Sequence, residues 1–276
     1  MIKDIIVNLT VDATHDGAAD YAISVARAFE AHLAGISFAY EPVVPGSVFG
    51  SVAVELIATH RAECEKAARA AVSYFDEAIR RVGLSAESRL RTASPTEAAS
   101  MFGRIARRFD LSVVTQAEPQ KLPGRDLIIE AALFESGRPV LIVPYIQRDG
   151  LMLDRVMVCW DGSRNAARAV GDAMPLLRRA KAVEVVIIAG EAAKSDEIPG
   201  ADIAHHLARH GLKVELQRIV SPGLDVANTI LSHAADAGTD FIVMGGYGHS
   251  RMRELVLGGA TRGILASMTV PTLMSH

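Results

Sequence analysis

The 276-residue sequence predicts an α/β fold: two tandem doubly wound domains, each a five-stranded parallel sheet with helices on both faces. Three observations carry that prediction. Short apolar runs alternate with amphipathic stretches, the pattern of strands joined by crossover helices. The alternation occurs twice, and the two halves can be aligned at their fourth strands.

In the first half, Ile5–Leu9 reads as a buried strand and Ala18–Ala31 as the helix after it. Leu33–Phe38 is a second strand, Val52–Arg81 a long helix and Ser88–Thr92 a third strand. Pro95 opens the next helix, to about Arg108, at a first-turn position where its missing N–H has no helical partner to lose. Leu111–Thr115 and Val140–Val143 complete five strands. The second half repeats the order. Its strands are Arg155–Trp160, Val183–Ala189, Val214–Ile219, Phe241–Met244 and Val270–Leu273. Its helices are Asn165–Arg179, Ile203–His210, the Pro-opened Pro222–Ala237 and, after a loop, Arg262–Ser267. Ser94-Pro95 leads to Asp110 and LSVV, and Ser221-Pro222 leads to Asp240 and FIVM, a repeat of roughly 130–150 residues. The polar stretch Gln147–Gly150 marks the boundary between domains 1–147 and 151–276. Each is long enough to bury its own core.

Composition narrows the function classes. A net charge of -3 and a pI near 6.3 supply no field to attract polyanions, so nucleic acid is not an expected partner. Cys64 and Cys159 form no CxxC or Cys/His cluster, which suits reduced thiols in a cytoplasmic protein. The first residues lack the apolar core of a signal peptide, and no apolar run is long enough for a membrane span. The expectation is a soluble, cytoplasmic protein with no membrane partner.

Gly245–Thr261, GGYGHSRMRELVLGGAT, is the segment richest in chemistry. It follows the fourth strand of the second half, and ligands of open α/β sheets sit beyond the carboxyl ends of strands. Gly245, Gly246 and Gly248 permit close approach of a ligand to the backbone. Gly258 and Gly259 stand at a helix mouth, where free N–H groups and the helix dipole attract phosphate. Glycine clusters are also ordinary turns, so the spacing matters more than the count.

That spacing, Gly245-x2-Gly248-x9-Gly258, resembles the ATP-binding pattern of the universal stress protein family, as does the strand-terminal Trp160-Asp161-Gly162-Ser163. The resemblance covers Asp154–His276 strongly and the first half only by fold pattern. It implies the universal stress protein fold, of the adenine nucleotide alpha-hydrolase-like kind, in a stress-response regulatory protein. It also implies an adenine nucleotide ligand: ATP, with ADP or AMP as alternatives and Mg2+ as a companion ion. Carried over, Asp161 beside Trp160 faces the adenosine, and the backbone at Ile188 and Ala189 edges the adenine. Gly245 (with Met244 before it) and Gly248 wrap the ribose and α-phosphate, and Gly258, Gly259, Ala260 and Thr261 hold the outer phosphates. Gly259 departs from the family's usual Ser. Losing one neutral hydrogen bond costs roughly 0.5–1.5 kcal/mol, about tenfold in affinity at most. In the family the fifth strands pair across a pseudo-twofold. Val140–Val143 and Val270–Leu273 would therefore pair within one chain as an intramolecular pseudo-dimer, with a further homodimer left open.

The first half is expected to lack this site. Thr115 stands for Gly245 and Glu118 for Gly248, which puts a carboxylate where phosphate would lie. Such a charge pair repels by about 1 kcal/mol in water and about 4 kcal/mol at a partly buried site. Elsewhere, His206 and His210 share a helix face at i,i+4 beside His205, more simply a solvated face than a zinc site. His249 and Ser250 lie outside any GxSxG elbow, and no GxxxxGK[ST] occurs, so no catalytic residue is assigned. The sequence favours a nucleotide-binding protein with little turnover. A slow ATPase or nucleotidyl transferase and a nucleotide-free interaction scaffold are the alternatives.

Overall fold

The computed structural model describes residues 1–11, 15–41, 51–117, 125–189, 200–220, 225–247 and 259–276. Its strands are β1 (Asp4–Asn8), β2 (His32–Tyr40), β3 (Ala86–Ala93), β4 (Leu111–Thr115), β5 (Val140–Val143), β6 (Arg155–Cys159), β7 (Ala182–Ala189), β8 (Val214–Val220), β9 (Phe241–Gly245) and β10 (Thr272–Ser275). Its helices are α1 (Gly17–Phe29), α2 (Ser51–Val82), α3 (Pro95–Ala106), α4 (Arg125–Glu135), α5 (Arg164–Leu177), α6 (Ala201–Arg209), α7 (Val226–Ala237) and α8 (Gly259–Ser267). The fold is α/β with mostly parallel strands, as the alternation predicts.

The chain forms two compact units. The first holds β1–β4 and α1–α4, with strand order β3-β2-β1-β4, every pair parallel. The second holds everything from β6 onward and also β5, in the order β5-β10-β9-β6-β7-β8. All its pairs are parallel except β5 with β10, which run antiparallel with Leu141 opposite Leu273. Compactness thus assigns Val140–Val143 to the second unit although the repeat assigns it to the first half. Burial follows position in the sheet. Every residue of β5 and β10 is buried, whereas the edge strands β3 and β8 alternate exposed with partly covered residues.

The two units share one hydrogen-bond pattern. Asp110 accepts from the N–H groups of Lys3 and Asp4 at 2.7 and 3.1 Å, while its own N–H donates to Asp4 O. Asp240 repeats this at the start of β6, accepting from Arg155 N–H at 2.8 Å and donating to Arg155 O. The register agrees: Ile5 lies opposite Leu111, and Val156 opposite Phe241. These aspartates fix where each first strand begins against its fourth.

Capping explains the helix starts. Pro95 and the reciprocal Ser94–Glu97 box open α3, Ser163 caps α5, and Asp225 caps α7. The Pro222 start lies outside the described residues. The reading of Val52–Arg81 as a core-packing helix holds for α2, which buries Ala68, Phe75 and Ala78. One element went unread: α4, in the segment between Leu111–Thr115 and Val140–Val143. Its RDLIIEAALFE pattern buries Ile128, Ile129, Ala131, Ala132 and Leu133 but leaves the apolar Leu127 and Phe134 exposed, so the apolar residues show no clean helical stripe in the residue string.

Candidate functional site

The first strand of each unit sits where the chain reverses its direction across the sheet. In the second unit, β7 and β8 build outward on one side of β6, and β9 and β10 on the other. The crevice at such a switch point, outside the carboxyl ends, is the ligand position of open α/β sheets. Cys159 lies opposite Met244 on one side and Val186 on the other, so Trp160 and Asp161, Ile188 and Ala189, and Met244 and Gly245 end three adjacent strands.

Local sequence shapes this edge. Asp161 is exposed, and its Oδ1 accepts from the Ser163 N–H at 2.9 Å, closing a tight turn through Gly162 at φ +74°. Ser163 then caps α5 by accepting from the Ala166 N–H at 3.1 Å. Trp160 is half-buried, and its N–H donates to Val186 O at 2.9 Å. Gly245 has an internal reason for being glycine. A Cβ there would lie 2.6 Å from Ala166 N and 2.8 Å from the Asn165 carbonyl carbon, so the first turn of α5 rests directly on it.

Three side chains then hold the start of the glycine loop. Asn165 Nδ2 donates to Gly246 O at 2.6 Å and to Tyr247 O at 3.3 Å, and it lies 2.9 Å from His276 Nδ1. His276 Nδ1 is itself 3.1 Å from Gly246 O. Thr261 is buried in the first turn of α8, where its Oγ1 accepts from the Tyr247 N–H at 3.1 Å. Tyr247 takes a left-handed φ of +53°, which these contacts hold in place. Gly259 and Ala260 complete the α8 mouth, Gly259 exposed with nothing within 4 Å of an added Cβ. Gly248, Gly258, His249 and Ser250 lie outside the described residues.

The electrostatics leave the Cys159 thiol unactivated. Burial, then the charges of Asp161 and Glu184, push the Cys159 thiol up to about 12, so it stays neutral at physiological pH. Glu184, buried on β7, pairs with His233 Nε2 at 3.1 Å. Among the described residues, no three His, Cys, Asp or Glu side chains come together as a metal site.

The first unit fills its switch point instead. Thr10 donates from N–H and Oγ1 to the Asp16 carboxylate at 2.6 and 3.0 Å, and Asp16 also caps α1 through Ala19 N–H. Thr10 Oγ1 reaches Thr115 Oγ1, on the strand across the crevice, at 3.3 Å. Asp16 is buried, and desolvation raises its pKa despite these donors. Thr115 occupies the place of Gly245, as the alignment requires, and Glu118 lies outside the described residues. Gln116, the counterpart of Gly246, is buried in the second unit. Its N–H donates to Val143 O, its Nε2 donates to Leu265 O at 2.9 Å, and its Oε1 accepts from Tyr145 N–H. Sequence reading missed Asn165, His276, Thr10 and Asp16. All are ordinary polar residues whose roles arise from contacts across the fold.

Residues 152–276 match the model of the universal stress protein family. The match spans β6 through β10. A curated universal stress protein of Synechocystis is 33% identical over 67 residues, covering 24% of this chain and 22% of that protein. So the chain spans only about a fifth of that relative in alignment. A universal stress protein from Archaeoglobus fulgidus shares the fold across 99% of this chain and 95% of its own, with a TM-score of 0.67 at 13% identity. A putative universal stress protein from Pseudomonas aeruginosa does so across 99% and 93%, with a TM-score of 0.62 at 17% identity. The region that matches the family therefore contains the switch point flanked by Asp161, Gly245 and the α8 mouth. The first unit, outside the family match, contains the filled one.

Proposed function

We propose that the universal stress protein domain binds ATP or a related adenine nucleotide at the β6–β9 switch point and holds it with little turnover, as a regulatory protein of the cytoplasm. The observation that supports this most is the contrast between the units. The same crevice is bridged by Thr10, Asp16 and Thr115 in one, and is flanked by Asp161, Gly245 and the α8 mouth in the other. In this reading the nucleoside lies against Trp160, Asp161 and the β7 end at Ile188 and Ala189. The loop from Met244 and Gly245 through Gly248 carries the ribose and α-phosphate, and Gly258, Gly259 and Ala260 offer N–H groups to the outer phosphates. Thr261 acts by pinning Tyr247, with its hydroxyl proton still available to a phosphate oxygen. Mg2+ would accompany the phosphates, since no protein carboxylate pair is assigned to it.

Titration calorimetry of the full chain with ATP, beside its Gly248→Glu variant, tests the placement. The variant copies the first half and is expected to lose binding while unfolding as cooperatively as the parent. Normal binding by the variant contradicts the placement. Phosphate or AMP release above background with Mg2+ would make the protein an enzyme. No nucleotide binding at all would make it a scaffold.

A further inference from the structure

A second ligand chemistry lies away from the switch point, on the last turn of α6. His206 and His210, one helical turn apart, are both exposed, and their ring centroids are 4.8 Å apart at an interplanar angle of 65°. Neither ring takes a hydrogen bond or ion pair from the described residues. Each neutral imidazole therefore keeps a ring nitrogen lone pair free for a ligand.

Two imidazoles held at i,i+4 form a chelating pair without rearrangement of the backbone, since this spacing stacks side chains on one helix face. The end of α6 favours a cation, because the last carbonyls of a helix carry partial negative charge. Other charges around the pair are mixed. Asp202 lies one turn earlier on the same face, with Oδ1 accepting from Ile203 N–H, while Arg209 and Lys213 flank His210 in sequence. No third His, Cys, Asp or Glu among the described residues completes a cluster. Two protein nitrogens and solvent oxygens would then make up the coordination sphere. Such a donor set suits divalent ions of the later first transition row, with Cu2+ above Ni2+ and Zn2+, and offers little to Mg2+ or Ca2+.

We propose that His206 and His210 form a surface chelate for a divalent transition-metal ion, one per chain, independent of nucleotide. Binding clips the last turn of α6. Protons compete for the same nitrogens, so affinity falls on acidification.

Equilibrium dialysis of tag-free full-length protein against NiCl2 tests this, with metal counted by mass spectrometry. The expected result is one Ni2+ per chain at neutral pH, unaffected by excess Mg2+ and lost in His206→Ala and in His210→Ala alike. A His60→Ala/Cys64→Ser variant, which removes the other i,i+4 donor pair, should bind as the parent does. Circular dichroism of each variant should match the parent if the helices stay intact. Electron paramagnetic resonance of the Cu2+ form should show coupling to two imidazole nitrogens. Retained Ni2+ in the double His206→Ala/His210→Ala variant, loss in the His60/Cys64 variant, coupling to fewer than two nitrogens, or no binding by the parent would each overturn the proposal.

Discussion

Asn165 donates to two successive carbonyls of the glycine loop from the first turn of α5, so its amide sets where the loop leaves the sheet. Each such bond contributes about 0.5–1.5 kcal/mol. Asn165→Ala is therefore expected to weaken ATP binding by roughly tenfold in calorimetry, with only a small drop in melting temperature. The glycines separate by the same logic. Gly245→Ala places a methyl 2.6 Å from Ala166 N, against backbone that cannot swing aside. Overpacking of this kind costs about 1–3 kcal/mol, to be read from a denaturant titration. Gly259→Ser meets open space and should leave stability unchanged. If phosphate lies at the α8 mouth, the new hydroxyl should tighten ATP binding, by about tenfold at most. The glycine spacing was legible in the sequence, but the reason for Gly245 was not. A glycine that admits a ligand and a glycine that admits a helix look the same in a residue string.

At the scale of elements, most strands and helices follow from apolar runs and caps, with boundaries shifted by a few residues. Arg155–Trp160 ends at Cys159 as β6, and Val270–Leu273 lies two residues later as β10, Thr272–Ser275. Pro271 explains the second shift, since proline cannot donate to a ladder in the middle of a sheet. Helix α4 was missed because Leu127 and Phe134, both exposed, put apolar residues on its outer face and blur the amphipathic period. Packing between α1 and α2 makes a testable claim of its own. Tyr74 on α2 donates to Asp20 on α1 at 2.8 Å and lies 3.2 Å from His15 Nδ1. Burial, then the Asp20 bond and its charge, push the Tyr74 hydroxyl up to about 12. A folded-state value above the unfolded one near 10 means that folding favours the protonated phenol. Its contribution is complete below about pH 10 and is lost as the pH rises from there towards 12. Denaturant unfolding across that window should show stability falling with pH, and Tyr74→Phe should flatten the slope. A slope unchanged in the variant would mean that Tyr74 does not cause it.

For the whole molecule, the duplication was readable because Asp110 and Asp240 and the strands after them occur twice, and both aspartates bracket a first strand in the same way. The inequality of the two halves was readable only in outline. Thr115 and Glu118 are the residues from which the sequence expects a degenerate loop, and Glu118 lies outside the described residues. The Thr10–Asp16–Thr115 bridge brings together residues more than a hundred positions apart in the chain, and no local pattern announces it. That bridge makes the central claim quantitative: one nucleotide site per chain, in the universal stress protein domain. The direct test is the amount of adenine nucleotide bound per chain, from calorimetry with ATP and mass spectrometry of ligand released on denaturation. One per chain is predicted, abolished by Gly248→Glu. Two per chain would contradict a filled first crevice, and none would contradict the nucleotide reading of the second.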